Sequence, residues 1–287
     1  MNRLLPISNY SEFKELYESA KTRIKKLDTN CLFPGSVVKD SIQQNHLYYR
    51  EFPEGFILYI DEGNLYRIYY FLDSSKPVPD LRCEKDLLLE ELDFNNRRED
   101  YLNFFTDKII KSGFYLESRN IQYEINLAEQ KEWIQAEYKK AKERLENNGL
   151  TSTTEPNAKQ IEQVLELWGD HLKPTDVPVS HTEFMSDDNQ SVICVLNKDG
   201  NVCGTLWWVD RGNYCEIRHG VTHPDYYRMG ICIYTMLFSY VKAIERGSKI
   251  VISYTDDHNE KSLIMHKRAG MTENGKISLQ FLLEADK

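Results

Sequence analysis

The residues best suited to chemistry lie in one stretch, V-T-H-P-D-Y-Y-R-M-G-I-C-I-Y-T-M-L, at positions 221–237. The pattern predicts a strand that ends at Thr222, a short loop, and a helix that begins near Gly230. Free backbone N–H groups at a helix start bind phosphate, and the helix dipole favours the negative charge. A glycine there lets a pyrophosphate approach the backbone closely. The stretch therefore predicts a phosphate site, although the same order of elements also occurs in proteins that bind no phosphate.

Helices and strands alternate around this stretch, in the second half of the chain. Apolar spacing predicts helices over 157–172, 230–246 and 259–268. Alternating apolar residues and turn signals predict strands over 191–196, 202–209, 214–222, 249–254 and 276–283, and a loop over 173–189. This order is typical of a mixed α/β (α+β) sheet protein.

Two motifs in this half resemble the GNAT superfamily of acyl-coenzyme A N-acyltransferases (general N-acetyltransferases). The pyrophosphate loop of that family reads V-x-P-x-Y-R-x-x-G-x-G/A, and here 221–226 matches its approach while Gly230 matches its middle glycine. Further along, the family has an Asn that opens a helix ending in Y-x-x-x-G-F. Here Asn259 opens the helix, and H-K-R-A-G-M at 266–271 ends it. The resemblance covers about residues 151–287.

The resemblance implies a GNAT-like acyl-CoA N-acyltransferase fold, with acetyl-CoA as co-substrate and no metal. Coenzyme A would lie in a gap between strands 214–222 and 249–254, and an amine would attack the thioester directly. A backbone N–H near Gly220 or Val221 would polarise the acyl carbonyl. The implied cofactor-binding residues are Gly220, Val221, Thr222, Tyr227, Arg228, Met229, Gly230, Ile231, Cys232 and Asn259.

The resemblance also indicates three catalytic candidates. Glu216 lies in strand 214–222, where bases of the family are often found, although a surface glutamate on an alternating strand explains it equally well. His266 takes the position of the family's usual acid, a tyrosine, and Tyr254 is an alternative donor. His219 and His223 flank the strand end and could relay a proton, or simply line the cleft as neutral side chains.

Three positions depart from the family pattern. Tyr227 stands where Arg or Gln is usual, with Arg228 one position later. Cys232 replaces the last Gly or Ala of the loop, and His266 replaces the tyrosine. A loop that binds a pyrophosphate through backbone N–H groups tolerates the changes at Tyr227 and Cys232. An acyl-cysteine route through Cys232 is disfavoured, because the sequence shows no dedicated His–Asp partner. The departures leave open an alternative function, a non-catalytic protein that binds coenzyme A or a protein partner.

The first half also reads as a helix followed by strands. A helix capped by Ser8 or Asn9 runs to about residue 27, and a hairpin joins 56–61 to 65–72. A strand over 87–94, a helix over 100–111 and a strand over 120–127 follow. No glycine lies between Gly63 and Gly113, so this half has no candidate pyrophosphate loop. It is interpreted either as a GNAT-like copy that has lost the cofactor site or as an unrelated α+β domain.

These patterns predict two tandem domains joined by a helix. Residues 1–127 form a domain lacking the cofactor loop, 128–149 a helical connector, and 150–287 the acetyltransferase domain. The connector has few apolar positions, although Trp133, Ile134 and Tyr138 could dock it on one domain.

Composition and charge limit the classes of binding partner that we expect. The net charge of −9 over 287 residues argues against nucleic acid, and so against a related class of transferases that uses charged tRNA. No apolar run is long enough to span a bilayer, so we expect a cytoplasmic protein. The six cysteines lack the spacing of a metal site. We expect a monomer or a homodimer. The acceptor is expected to be a small-molecule or peptide amine. Its entry loop would lie at about 170–189, which holds Asp170, His171, Asp176, His181, Glu183, Asp187 and Asp188.

Overall fold

The computed structural model describes residues 4–31, 34–93, 99–173 and 190–285. The chain divides into two compact units, the first made of 1–119 and 276–287 and the second of 120–275. These bounds differ from the predicted ones at both ends of the second unit. Residues 120–149 belong to the second unit, and 276–287 belong to the first.

The first unit is a mixed sheet with helices on both faces. Its helices are α1 (Tyr10–Arg23), α2 (Pro34–Gln43) and α3 (Glu99–Lys111). Its strands are β1 (Leu5–Pro6), β2 (Leu27–Thr29), β3 (Leu47–Phe52), β4 (Gly55–Asp61), β5 (Leu65–Asp73) and β6 (Asp86–Asp93). The sheet order is β1-β3-β4-β5-β6-β13, and β2 pairs with β5. The last strand, β13 (Thr272–Leu283), joins this sheet when Ile277–Leu283 pairs with β6.

The second unit has the same pattern of strands. Its helices are α4 (Lys131–Asn147), α5 (Ala158–His171), α6 (Ile231–Glu245) and α7 (Glu260–Arg268). Its strands are β7 (Tyr115–Asn126), β8 (Thr151–Thr153), β9 (Gln190–Leu196), β10 (Val202–Asp210), β11 (Tyr214–Thr222) and β12 (Ile250–Asp256). The order is β8-β9-β10-β11-β12-β7. In both units the fourth and fifth strands are parallel, and the other neighbouring pairs are antiparallel.

Most predicted elements are confirmed within one or two residues. Asn9 caps α1 and Asn157 caps α5, each by accepting a hydrogen bond from the first turn. Helix α1 ends at Arg23, earlier than expected. The loop predicted over 173–189 lies outside the described residues beyond position 173, as do Asp176, His181, Glu183, Asp187 and Asp188. None of the described helices combines the length and the apolar character that a membrane span requires.

The helix predicted to be a connector is a core element of the second unit. Ile134, Ala141 and Leu145 of α4 are buried in the same cluster as the inner face of α6. The ring of Tyr138 stacks on Tyr234 of α6, with centroids 5.8 Å apart. The sequence pattern underestimated the burial of α4, because three apolar side chains are enough to pack a helix into the core when they lie on one narrow stripe.

Candidate functional site

Strands β11 and β12 run side by side and then separate. Their parallel ladder has four matched pairs, from Tyr214 with Ile250 to Ile217 with Ser253. Both strands continue beyond it, but among the described residues β11 then pairs with β10 alone. Because ladder hydrogen bonds alternate between the two edges of a strand, residues 219–222 direct part of their backbone groups away from β10, and β12 provides no ladder partner for these groups. The ladder between β11 and β12 therefore ends where the resemblance implies a gap for coenzyme A.

A bulge in β11 marks the point of separation. Trp207 of β10 faces His219, whereas the next residue, Trp208, faces Ile217. Arg218 is therefore the extra residue, and such a bulge re-aims the strand that carries it. This one extra residue lies directly after Ile217, the last residue of β11 that pairs with β12.

The loop after β11 presents backbone N–H groups. A single 3-10 turn, Pro224–Tyr226, follows the strand, and α6 begins at Ile231. Arg228 and Gly230 adopt left-handed conformations, with φ of 68° and 89°. Among the described residues, no hydrogen-bond partner is found for the N–H groups of Arg228, Gly230, Ile231 and Cys232. Such N–H groups at a helix N-terminus bind anions.

A glycine in β10 allows the start of α6 to come close to the sheet. A Cβ atom at Gly204 would lie 2.4 Å from Cγ2 of Ile231 and 3.3 Å from the carbonyl oxygen of Val221. A larger residue at this position would force the Ile231 side chain to shift and would press on the carbonyl group of Val221. Gly204 therefore helps to fix the loop, although the sequence pattern gave it no role.

Helix α4 holds the same loop from outside. Nη2 of Arg144 donates to the carbonyl oxygen of Arg228 at 2.6 Å, and Nδ2 of Asn148 donates to that of Met229 at 3.1 Å. These bonds stabilise the strained left-handed turn at Arg228. No local sequence signal links Arg144 to a loop 84 residues away.

An open cavity of about 560 Å³ lies between the end of α4 and the loop. Arg144 and Arg228 line it together with one acidic side chain, Glu143. Lys140 also lines it, although its ammonium is paired with Glu137 at 2.6 Å. The balance of charge is positive and suits an anionic ligand.

The first turn of α7 lies beside this loop. Asn259 caps α7, accepting a hydrogen bond from the N–H of Ser262 at 3.1 Å. Nζ of Lys261 lies over the ring of Tyr227, 5.7 Å from its centroid. The structure thus brings the loop residues 227–232 close to α7, and Gly220, Val221 and Thr222 form the strand end that leads into the loop.

Glu216 lies on β11 before the bulge, opposite Ile252 of β12. Its carboxylate is 3.1 Å from Nε of Arg218 and 3.6 Å from Nε of Arg211. The side chain is mostly buried, at 13% exposure. Both oxygens are therefore held by guanidinium groups, an arrangement that the sequence did not indicate.

His219 packs against two indole rings. Its ring centroid is 5.7 Å from that of Trp168 and 5.3 Å from that of Trp207. Burial, assisted by the charge of Arg218, lowers the pKa of His219 to about 3. The imidazole is therefore neutral at physiological pH and accepts a proton poorly.

His266 is buried in α7 and packs against the ring of Tyr123, with centroids 5.0 Å apart. Its Nδ1 donates to the carbonyl oxygen of Ser262 at 2.7 Å, and its Nε2 is buried without a partner in the described part of the chain. Burial lowers the pKa of this imidazole. The neutral tautomer therefore carries its proton on Nδ1, which leaves Nε2 as an acceptor rather than an acid.

Tyr254 follows the last matched pair of the ladder, on the face of the sheet that also carries Glu216. Its hydroxyl accepts a hydrogen bond from the amide of Gln122 in β7. The amide of Asn274 in turn donates to Gln122 at 2.6 Å and to Glu124 at 2.7 Å. This amide and carboxylate network was not foreseen, because β7 is distant in sequence from β12.

Cys232 is a thiol, not a thiolate. Burial raises its pKa to about 11. Since the thiolate is the nucleophile, this environment supports the expectation that Cys232 forms no acyl intermediate.

The first unit fills the corresponding gap with its own chain. The parallel ladder of β5 and β6 also has four pairs, ending at Ile68 with Leu89. Beyond it, β2 pairs with the end of β5. The buried amide of Asn30 donates to the carbonyl oxygens of Ile68 and Glu90, at 3.2 and 3.0 Å, and accepts from the N–H of Tyr70 at 2.8 Å.

Solved structures with a similar fold carry acetyltransferase descriptions. A tandem GNAT protein from the clavulanic acid biosynthesis pathway, solved without acetyl-CoA, is 11% identical, matches 99% of each chain, and has a TM-score of 0.55. A GCN5-related N-acetyltransferase from Sphaerobacter thermophilus is 11% identical over 86% of this chain and 85% of that one, with a TM-score of 0.53. Another from Kribbella flavida is 13% identical over 88% and 96%, with a TM-score of 0.51.

No protein-family model matches the sequence, and no curated protein matches it. The likeness in structure nevertheless extends over the whole chain and includes both units. The resemblance drawn from the motifs at 221–230 and 259–271 is thus confirmed at the level of the fold, and the chain has the tandem GNAT fold.

Proposed function

We propose that the second unit is an acyl-CoA-dependent N-acyltransferase that transfers an acetyl or other short acyl group to an amine. The observation that carries this proposal is the junction of two features at one strand end. The end of the β11–β12 ladder is followed directly by a loop whose N–H groups have no partner among the described residues. The strand edge suits an extended chain with amides, such as pantetheine, and the loop suits a pyrophosphate. Both groups are parts of coenzyme A.

The N–H groups of Arg228, Gly230 and Ile231 bind the pyrophosphate in this proposal, and Arg144 and Arg228 supply positive charge. The free backbone groups of residues 219–222 bind the pantetheine amides, as an added strand would. A backbone N–H near Gly220 or Val221 polarises the acyl carbonyl. These roles need no side-chain chemistry, so the departures at Tyr227 and Cys232 do not oppose them.

Proton transfer is assigned to Glu216, acting on the amine directly or through water. Arg211 and Arg218 fix its orientation, and a carboxylate at the reactive edge takes up the proton that an attacking ammonium must lose. The leaving thiol needs little help, because thiols ionise near pH 8.5 and a thiolate is a competent leaving group. Tyr254 fits the role of donor better than His266, whose Nε2 carries no proton in the neutral form.

The test is thiol release from acetyl-CoA in the presence of a panel of amines. Glu216→Gln is compared with Glu166→Gln, an exposed position on α5. We expect amine-dependent release that falls by about 10²–10⁴-fold only in Glu216→Gln, with acetyl-CoA binding unchanged. Equal rates in the two variants would remove Glu216 from the mechanism.

A second candidate function is binding of coenzyme A without turnover. The ion pairs of Glu216 and the unprotonated Nε2 of His266 favour it, since neither group is presented as a free acid or base. It predicts that acetyl-CoA raises the melting temperature while no amine in the panel is acylated. Absence of any binding at millimolar acetyl-CoA would refute both functions.

A further inference from the structure

The first unit contains a cavity with mostly apolar walls. In the second unit, the connection between the parallel strands β11 and β12 includes helix α6. In the first unit, residues 74–85 connect β5 to β6 without a helix. A parallel crossover is usually a helix that covers the sheet, so its replacement by a loop leaves part of the apolar face uncovered.

The cavity has a volume of about 540 Å³. Ile57, Leu89 and Tyr70 form its sheet side, Phe105 and Ile109 of α3 form a wall, and Leu81 covers it from the loop. All six are buried. A volume of roughly 300–1,000 Å³, apolar walls and a few polar groups at one end are the usual features of a small-molecule site.

Charged groups gather at one end of the cavity. Lys26, Lys76 and Lys108 line it together with Asp28 and Asp73. The Asp73 carboxylate already accepts two hydrogen bonds from Ser75, at 2.9 and 2.6 Å, and these lower its pKa.

Both aspartates already accept hydrogen bonds from neighbouring groups, and their charges act on Lys108. Three lysines against two aspartates leave one positive charge in excess at this end. Oδ1 of Asp28 accepts from the N–H of Thr29 at 2.9 Å. Lys108 donates to the carbonyl oxygen of Ser74 at 2.9 Å and keeps two further N–H donors for a ligand. No hydrogen bond or ion pair is found within the described residues for the ammonium groups of Lys26 and Lys76, although the backbone groups of both residues are hydrogen-bonded.

We propose that this cavity binds an amphipathic monoanion, an aliphatic or aromatic body that ends in a carboxylate. The body lies between the sheet and α3, and the carboxylate meets the ammonium of Lys108, with Lys26 and Lys76 nearby. The site is separate from the acyl-CoA site of the second unit and does not depend on it.

The test is isothermal titration of the full chain with three ten-carbon probes: decanoate, decanol and decylamine. We expect decanoate to bind in a 1:1 ratio, decanol more weakly, and decylamine weakest of all. The four tryptophans lie at 133, 168, 207 and 208, all in the second unit, so intrinsic fluorescence cannot replace calorimetry.

Two variants locate the site. Lys108→Met should weaken decanoate binding about tenfold and leave decanol nearly unchanged, because only the charge-assisted contact is lost. Lys111→Met, on the exposed side of the same helix, is the control and should change neither affinity.

Tighter binding of decylamine than decanoate would overturn the assignment of an anion. Binding of none of the three probes by the folded protein would overturn the site itself. Thermal unfolding of each variant establishes that it is folded, and acetyl-CoA binding, measured separately, should be the same in all of them.

Discussion

Alanine substitutions at Gly230 and Gly247 form a matched pair that tests whether the loop before α6 binds the pyrophosphate. The two glycines flank the same helix, α6, and have nearly equal φ angles of 89° and 86°. Alanine in this left-handed region costs about 1–2 kcal/mol at either position. Gly230→Ala and Gly247→Ala should therefore lower the free energy of unfolding by similar amounts.

The two variants should differ in their affinity for acetyl-CoA. Apart from Gly247 itself and its chain neighbours, no atom of the described residues lies within 4 Å of a Cβ at Gly247, whereas a Cβ at Gly230 lies 3.2 Å from Cδ and Nε of Arg144. Relief of strain at Gly230 rotates the N–H groups that face the ligand, and the Arg144 side chain must also shift. Losing one or two charge-assisted hydrogen bonds, each worth about 1.5–3 kcal/mol, corresponds to at least a tenfold loss of affinity.

The assay is calorimetric titration with acetyl-CoA beside urea unfolding of each variant. We expect Gly247→Ala to bind like the parent and Gly230→Ala to bind at least tenfold more weakly. Equal affinities in the two variants, at equal stability, would show that the loop does not hold the pyrophosphate.

Three further predictions concern the surroundings of the site. Arg144→Ala should weaken acetyl-CoA binding about five- to tenfold, since one contact with the loop and one positive charge are lost. Lys142→Ala, on the same helix, should leave the affinity unchanged, and calorimetric titration of both variants measures the difference. Asn30→Ala leaves three backbone groups of the first unit without partners, so urea unfolding should show a loss of about 1–3 kcal/mol while the number of acetyl-CoA molecules bound stays the same. His219, with its pKa lowered to about 3, is neutral when folded but is protonated in the unfolded chain below about pH 6.5, so stability should fall as pH drops from 6.5, by at most about 1.4 kcal/mol per unit. His219→Phe should flatten that part of the stability profile, and an unchanged profile would argue against a neutral imidazole packed on the two indoles.

Local pattern was enough to predict the elements that carry the loop. The apolar stripe of α5, the Asp-Gly turn between β9 and β10, and Gly230 before α6 are each short-range signals. Asn259 as the cap of α7 is another. These features depend on neighbours within one turn or one hairpin, so the sequence shows them directly.

The exchange of the last strands between the units was not predictable in this way. Strand β7 pairs with β12, while Ile277–Leu283 of β13 pairs with β6. Both strands are 12 residues long, and the periodicity of a strand does not specify the sheet in which it pairs. The boundaries predicted at 127 and 150 followed chain order instead.

Long-range contacts also decided the roles of single residues. Arg144 contacts the loop from α4, which the sequence predicts to be a solvent-exposed connector. Asn30 bridges β5 and β6 from a segment without a clear helix or strand periodicity. His266 occupies the position of the family's acid, yet its bond to Ser262 places the ring proton on the wrong nitrogen for that role. Such outcomes depend on packing across the unit.

The most direct test of the account is the stoichiometry and site of acetyl-CoA binding. Titration calorimetry of the intact chain should give one molecule of acetyl-CoA per chain, bound at least tenfold more weakly in Gly230→Ala and with unchanged affinity in Asn30→Ala. Two molecules per chain, or an affinity in Gly230→Ala equal to that of the parent, would contradict the assignment of the site to the loop between β11 and α6.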